Sequence, residues 1–271
     1  MRNILFENRL KQAVLAIAIA AASSLALAAD IHVVSSGGFA AAYKALGPGF
    51  EKKTGHKLIS EWGPSMGDTQ EAIPQRLARG ESIDVVIMVG NSLDRLVAQG
   101  KVSKKEHELL ALSRIGLAVK AGAAKPDIST VDALKRTLLT AHSIAYSDSA
   151  SGVYLSTVLF KRLGIEEQLK GKARMIPAEP VGKVVARGEA EIGFQQISEL
   201  KPVSGIDIVG PIPESVQQVT PYSAGVVAGT RQPEAAKALI DYLASPEAAE
   251  MIRNSGLDPA PHQRESNRNI R

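Results

Sequence analysis

The sequence predicts an α/β protein built on mostly parallel β-sheet, and three observations carry that reading. Strand-like and helix-like stretches alternate along the chain, the order that builds parallel strands joined by crossover helices. The run Ile83-Asp84-Val85-Val86-Ile87-Met88-Val89 is almost continuously apolar, as suits a central strand covered on both faces. Two serine/glycine turns, Ser35-Ser36-Gly37-Gly38 and Ser147-Asp148-Ser149-Ala150-Ser151-Gly152, each close a strand pattern and open a helix pattern.

The elements follow in order. Ile31–Val34 reads as the first strand and Phe39–Lys53 as a helix stopped at Gly55. His56–Glu61 is a strand; Ser65–Arg79 is helical, with Ile73 and Leu77 on one face and Gly80 at its end. The apolar run at 83–89 is followed by a helix, Leu93–Gln99, ending at Gly100. Ile115–Lys120 and Ser143–Tyr146 are strands around a helix at Val131–Thr140. Val153–Leu163 is a helix ending at Gly164, Arg174–Ile176 a short strand, and Val181–Arg187 a helix ending at Gly188. Strands at Ile192–Gln196, Ile206–Val209 and Tyr222–Ala228 precede closing helices at Pro233–Leu243 and Pro246–Asn254. Glycine just past a periodic stretch is a common helix stop because it accepts the left-handed conformation there.

Each serine/glycine turn is a candidate anion site. A helix start leaves its first N–H groups without internal partners, and the helix dipole adds positive potential. Glycine allows close approach to the backbone and serine adds a hydroxyl donor. Serine is also a common helix cap, so either turn alone fits an ordinary capped start. Two turns facing each other would hold one small anion between Ser36, Gly37 and Gly38 on one side and Ser151 and Gly152 on the other.

Composition narrows the setting. The 271 residues are 45% hydrophobic and 22% charged, with no cysteine, so disulfides and thiol chemistry are excluded. Arg2, Arg9 and Lys11 precede the apolar stretch Ala13–Ala22 and the small-x-small ending Ala26-Leu27-Ala28, the pattern of a secretory signal peptide. Residues 1–29 are therefore expected to be a cleaved leader and the mature protein periplasmic, without membrane insertion. Much of the formal net charge of +4 lies in that leader, and the remaining basic residues are scattered, which argues against a nucleic-acid partner. After Pro259 the chain turns polar, and 261–271 reads as a tail.

This arrangement resembles the two-lobed periplasmic solute-binding proteins of the class with two crossover strands, over the whole mature chain. The resemblance implies a first lobe of residues 30–111 completed by 221–260 and a second lobe of 112–220, each a mostly parallel sheet flanked by helices, with crossings near Ser113–Leu117 and Thr220–Ala224. Within the class the chain is most similar to the molybdate-binding branch, whose ligand positions fall on Gly38 beside Ser36, Ser65, Ser151, Val181 and Gln196. Two departures stand out. Gln196 replaces a tyrosine of that branch, and Ser36-Gly37-Gly38 replaces Ala-Ala-Ser. Both suit a ligand larger than a tetrahedral oxyanion, such as a di- or tricarboxylate.

Longer segments resemble the aconitate isomerases, enzymes on this same fold that interconvert cis- and trans-aconitate. They are Pro64-Ser65-Met66-Gly67-Asp68-Thr69, Tyr146–Tyr154, Lys172–Val181 and Gly193-Phe194-Gln195-Gln196 with Ser198-Glu199-Leu200. The resemblance implies a periplasmic isomerase working by an allylic 1,3 proton shift. The alternative is a non-catalytic receptor that hands a small organic acid, or a molybdate-like oxyanion, to an ABC permease. Either way the expected partner is a small organic anion, with the protein a monomer and no metal or cofactor required. Arg76 and Arg114 are the candidate cations. Asp68, Asp148, Tyr154 and Glu179 lie in or beside the matched segments, but none is singled out as the proton carrier, and the five histidines, His32, His56, His107, His142 and His262, all lie outside them.

Overall fold

The computed structural model describes residues 28–261; of the expected leader (1–29) and tail (261–271), residues 1–27 and 262–271 lie outside the described residues. In chain order the elements are β1 (Asp30–Ser35), α1 (Gly37–Thr54), β2 (Lys57–Trp62), α2 (Ile73–Ala78), β3 (Val85–Val89), α3 (Gly90–Ala98), β4 (Val102–Ser113), β5 (Ile115–Lys120), α4 (Val131–Thr140) and β6 (Ile144–Ser147). Then come α5 (Ala150–Tyr154), which runs through a π turn (Leu155–Leu159) into α6 (Phe160–Arg162), α7 (Glu166–Leu169), β7 (Ala173–Ile176), α8 (Val181–Ala186), β8 (Ile192–Gln196) and α9 (Ile197–Leu200). The chain ends with β9 (Ile206–Pro211), β10 (Thr220–Val227), α10 (Pro233–Leu243), α11 (Ala249–Asn254) and β11 (Asp258–Pro259).

The strands form two sheets, ordered β11-β4-β10-β3-β1-β2 and β7-β6-β8-β5-β9. Both are mixed, which corrects the expectation of mostly parallel sheets. β1 runs parallel to β2 and β3, but β10 is antiparallel to β3 and β4. β6 runs parallel to β7 and β8, but β5 is antiparallel to β8 and β9. The antiparallel strands are those next to the crossings. β4 passes to β5 through Arg114 alone, and the chain returns between β9 and β10. These strands enter each sheet from the other one, without the crossover helix that makes successive strands parallel.

The central strands of each sheet are covered on both faces. In the first, Phe39, Leu46 and Phe50 of α1 pack with Leu239 and Leu243 of α10 against Ile31, Val33 and Ile87. On the other face Ile73, Leu77, Leu93 and Leu96 cover Val34, Val86 and Met88. In the second, Leu134, Leu155 and Leu159 pack on Ile115, Leu117 and Phe194, while Val181, Val184 and Val185 cover Ala145 and Ile176 from the other side. The run at 83–89 is the buried strand expected, with every residue of β3 buried.

Two elements differ from the sequence reading. The helix expected over Ser65–Arg79 is confined to Ile73–Ala78, because Gly67 sits at φ 100° and Pro74 fixes the new start. The stretch 65–72 is a series of bends and turns instead. β4, with Ser103-Lys104-Lys105-Glu106-His107 in its first half, had no element assigned to it. Its polar face carries no apolar alternation to read, and it is a strand because β10 and β11 flank it.

Candidate active site

The first turn stands at the carboxyl end of β1. Ser36 N donates to Ile87 O at 2.8 Å, which ties the turn to β3. Ser36 occupies the cap position of α1 with extended backbone, yet its side chain makes no capping bond. Its Oγ is buried without a hydrogen-bond partner. The reading of Ser36 as an ordinary cap therefore fails, and its hydroxyl is left for something else. Ser65 lies beside the end of β3, where its Oγ accepts from Val89 N at 2.9 Å. That bond leaves the Ser65 hydroxyl proton to donate.

The second turn is a chain of hydroxyls at the carboxyl end of β6. Ser147 Oγ is 2.9 Å from both Ser149 Oγ and Ser151 Oγ. Ser149 holds the cap position of α5 without a side-chain cap, and Ser151 is fully buried. Gly152 is required by space: a Cβ there would fall 1.6 Å from Ser147 O. Two expected ligand positions are already engaged. Val181 N donates to Gln195 Oε1 at 2.9 Å, so its N–H is taken within the protein. Gln196 Nε2 donates to Thr220 Oγ1 at 2.9 Å, which links the end of β8 to the start of β10, while Gln196 Oε1 is buried and unpartnered.

The structure brings in two residues the sequence did not single out. The carboxylate of Glu199, from α9, lies against the first turn of α1: a Cβ on Gly37 would come within 2.5 Å of its Oε1. Tyr222, from β10, fills the space beside Gly38, where a Cβ would fall 1.9 Å from its hydroxyl. The glycine pair thus gives room to these two side chains, where the sequence reading gave it to a larger ligand. The Glu199 residue is half-buried overall, but its Oε2 is sealed from solvent and has no partner. Burial raises its pKa to about 7; a hydrogen bond from Gln195 works the other way, and the charge of Asp148 adds to the rise. Burial, and then the charge of Glu199, hold the Tyr222 phenol well above its usual value.

The two candidate arginines are engaged. Arg76 pairs through Nη2 with Glu61 at 2.7 Å and through Nε with Glu81 at 2.8 Å, though its Nη1 is buried without a partner. Arg114, at the first crossing, binds Asp258 Oδ2 at 3.0 Å and also Glu214. Tyr154 donates its hydroxyl to Val216 O at 2.8 Å, a wall-forming role.

A model of the bacterial extracellular solute-binding proteins matches residues 31–258. The chain belongs to that family. Among relatives, it is 57% identical over 233 residues to an aconitate isomerase from a Pseudomonas species, covering 86% of this chain and 89% of that protein. It is 28% identical to a molybdate-binding protein from Azotobacter vinelandii, covering 91% of this chain and 97% of that one. Among solved structures, an Azotobacter vinelandii periplasmic molybdate-binding protein superposes with a TM-score of 0.68 at 20% identity, over 84% of this chain and 98% of that one. That last likeness is one of fold.

In this solute-binding protein the two turns end β1 and β6 at their carboxyl ends, where open α/β sheets take their ligands. A hollow of about 1000 Å³ opens at the amino ends of β1 and β3, beside Asp30, His32 and Asp84. It carries none of the unpartnered groups named above. Among the described residues, no group of three or more His, Cys, Asp or Glu side chains converges as a metal site.

Proposed function

We propose that this solute-binding protein is an isomerase that interconverts cis- and trans-aconitate in the cleft between its lobes. The observation that carries the reading is the 57% identity with an aconitate isomerase over 86% of the chain. The site supports it chemically. Isomerisation by an allylic 1,3 shift removes a proton from the methylene carbon, spreads the charge through the double bond into a carboxylate, and returns the proton at the other allylic carbon. Extra negative charge on a tricarboxylate calls for preorganised donors. The start of α1 supplies N–H groups, and Ser36, Ser65, Ser149 and Ser151 supply hydroxyls. Gly37 and Gly38 let Glu199 and Tyr222 come up against the start of α1, Gly152 lets α5 close on β6, and Gln196 offers an unpartnered carbonyl on a fixed amide. Val181 joins the wall through its bond to Gln195.

The same reading places the mature protein in the periplasm, started at residue 29 or 30 after leader cleavage. The leader pattern and the membership of an extracellular family support this. The family membership and the molybdate-binding relative favour one second reading, a receptor that passes a small organic anion to an importer without changing it. Proton NMR of the purified mature protein with trans-aconitate separates the two. Appearance of cis-aconitate is the expected result. Tight binding with no turnover across neutral pH would decide for the receptor.

A further inference from the structure

We infer that Glu199 is the group that carries the proton, with its carboxylate acting first as base and then as acid on the two allylic carbons of the substrate. This deepens the isomerase reading and rests on it.

The placement is what points to Glu199. It belongs to the second lobe, on the first turn after β8, and its carboxylate reaches across to the glycine start of α1 in the first lobe. It also sits close enough to Asp148 of the second turn to feel its charge. The carboxylate therefore lies against the first anion turn and within electrostatic range of the second. Gln195 lies beside it: Gln195 Oε1 is taken by Val181 N at 2.9 Å, which leaves the amide N–H₂ free to face Glu199. Among the described residues no lysine, arginine or histidine forms an ion pair with it, and Oε2 has no partner. A carboxylate with one sealed, unpartnered oxygen and no counter-charge is costly for folding. Such groups concentrate where chemistry uses them.

The other acids and the two phenols in the matched segments are committed elsewhere or lie outside the enclosure, Tyr146 packing edge-on against Phe160. Asp148 Oδ2 accepts from Ala178 N at 3.0 Å, Glu179 pairs with Arg187 at 2.6 Å, and Tyr154 donates to Val216. Asp68 lies exposed among the bends before α2.

The step balances within the protein and its substrate. Glu199, as carboxylate, takes a proton from the methylene carbon, and the C–H electron pair becomes an allylic carbanion shared with a substrate carboxylate. The double bond moves to the former methylene carbon. Glu199, now a carboxylic acid, gives the proton to the former vinylic carbon and is regenerated. No oxidant, reductant or co-reactant is consumed. A base tuned close to neutral serves both halves of such a cycle. The groups that face Glu199 are Gln195 from β8, Asp148 from the second turn and the Tyr222 phenol from β10. Tyr222 stays protonated at neutral pH and can donate to the charged intermediate.

The test is Glu199→Gln, which keeps shape and hydrogen-bond donors but removes the base. We expect kcat for both isomers, read by proton NMR, to fall by roughly 10²- to 10⁴-fold. Calorimetry should show trans-aconitate still binding. A variant that turns over at close to the parental rate overturns the assignment while leaving the isomerase reading intact. Loss of binding together with turnover also overturns it, since it makes Glu199 part of the frame. An inactive parent protein overturns both readings. Should circular dichroism show the Gln variant unfolded, Glu199→Asp decides. A moved acid limb in the pH profile of kcat/KM supports the assignment, and an unmoved one overturns it.

Discussion

Glu199 holds its carboxylate where burial favours the neutral form, with its pKa raised to about 7 from 4.5. The folded state therefore binds this proton more tightly than the unfolded state does. Both states are protonated below about pH 4.5, so stability is unaffected there; it falls as pH rises towards 7 and stays low above it. The loss is on the order of 3 kcal/mol at about 1.4 kcal/mol per pKa unit. Glu199→Gln should thus be more stable than the parent at pH 8 and equal to it at pH 4, in urea unfolding at both values. Equal stability at pH 8 would show that the carboxylate is better solvated than its surroundings indicate. Ser151 makes the opposite kind of contribution. Its hydroxyl ends the Ser149–Ser147–Ser151 chain, and Ser151→Ala should weaken trans-aconitate binding by about 1–3 kcal/mol if that donor meets a buried charge. Calorimetry showing no change would remove Ser151 from the site. The placement of Ser36 and Ser151 at strand-to-helix turns was legible in the sequence, because serine and glycine after a strand pattern mark such a turn locally. Glu199 was not, because an acid in the first turn of a helix reads as a complement to the helix dipole. Only the approach of α1 from the other lobe makes it a buried, unpaired group.

The same contrast between local and distant causes explains which elements could be read ahead. β3 announced itself by an unbroken apolar run, and α1, α4 and α10 by periodic apolar faces. β4 did not, because its identity as a strand comes from pairing with β10 and β11, with charged residues along much of its length. α2 was overextended because the apolar pair Ile73 and Leu77 does not itself mark a start, which Gly67 before it and Pro74 at its first turn set instead. The mixed direction of the sheets was equally hidden, since alternation of strands and helices says nothing of the two direct crossings. Packing of α5 on β6 gives a prediction of its own. The start of α5 lies so close to β6 that a Cβ on Gly152 would meet the Ser147 carbonyl at 1.6 Å, an obstacle made of backbone. Gly152→Ala should cost about 1–3 kcal/mol or more in stability by forcing helix and strand apart. It should also spread the Ser147–Ser151 hydroxyl chain. A loss below about 0.5 kcal/mol in urea unfolding, the scale of an indifferent surface change, would mean that the two elements separate easily.

The two lobes are joined by short passages whose polar groups are tied across the join. Arg114 at the first crossing holds Asp258 of β11 and Glu214 of the return segment, and Gln196 holds Thr220. Arg114 is part-exposed, so its pairs are worth at most about 1 kcal/mol. Arg114→Met should lower stability by no more than that and leave trans-aconitate binding unchanged; a loss of binding would return Arg114 to the list of ligand groups. Ligand choice is then left to the cleft. A ligand that binds the folded protein alone stabilises it by mass action, by about 2.7 kcal/mol at a hundredfold excess over Kd. For a chain of this size each kcal/mol moves Tm by about 2–4 °C. Trans- or cis-aconitate at that excess should therefore raise Tm by about 5–10 °C. Molybdate at the same concentration should raise it little. The reason lies in the turns: Glu199 and Tyr222 occupy the ground beside Gly37 and Gly38. A buried carboxylate pointing at the donor array repels a small doubly charged oxyanion. A tricarboxylate spreads its charge over three groups and can keep its reactive carbons, rather than a charged oxygen, opposite Glu199. A larger shift with molybdate than with aconitate would mean that Glu199 moves out of the cleft when ligand enters.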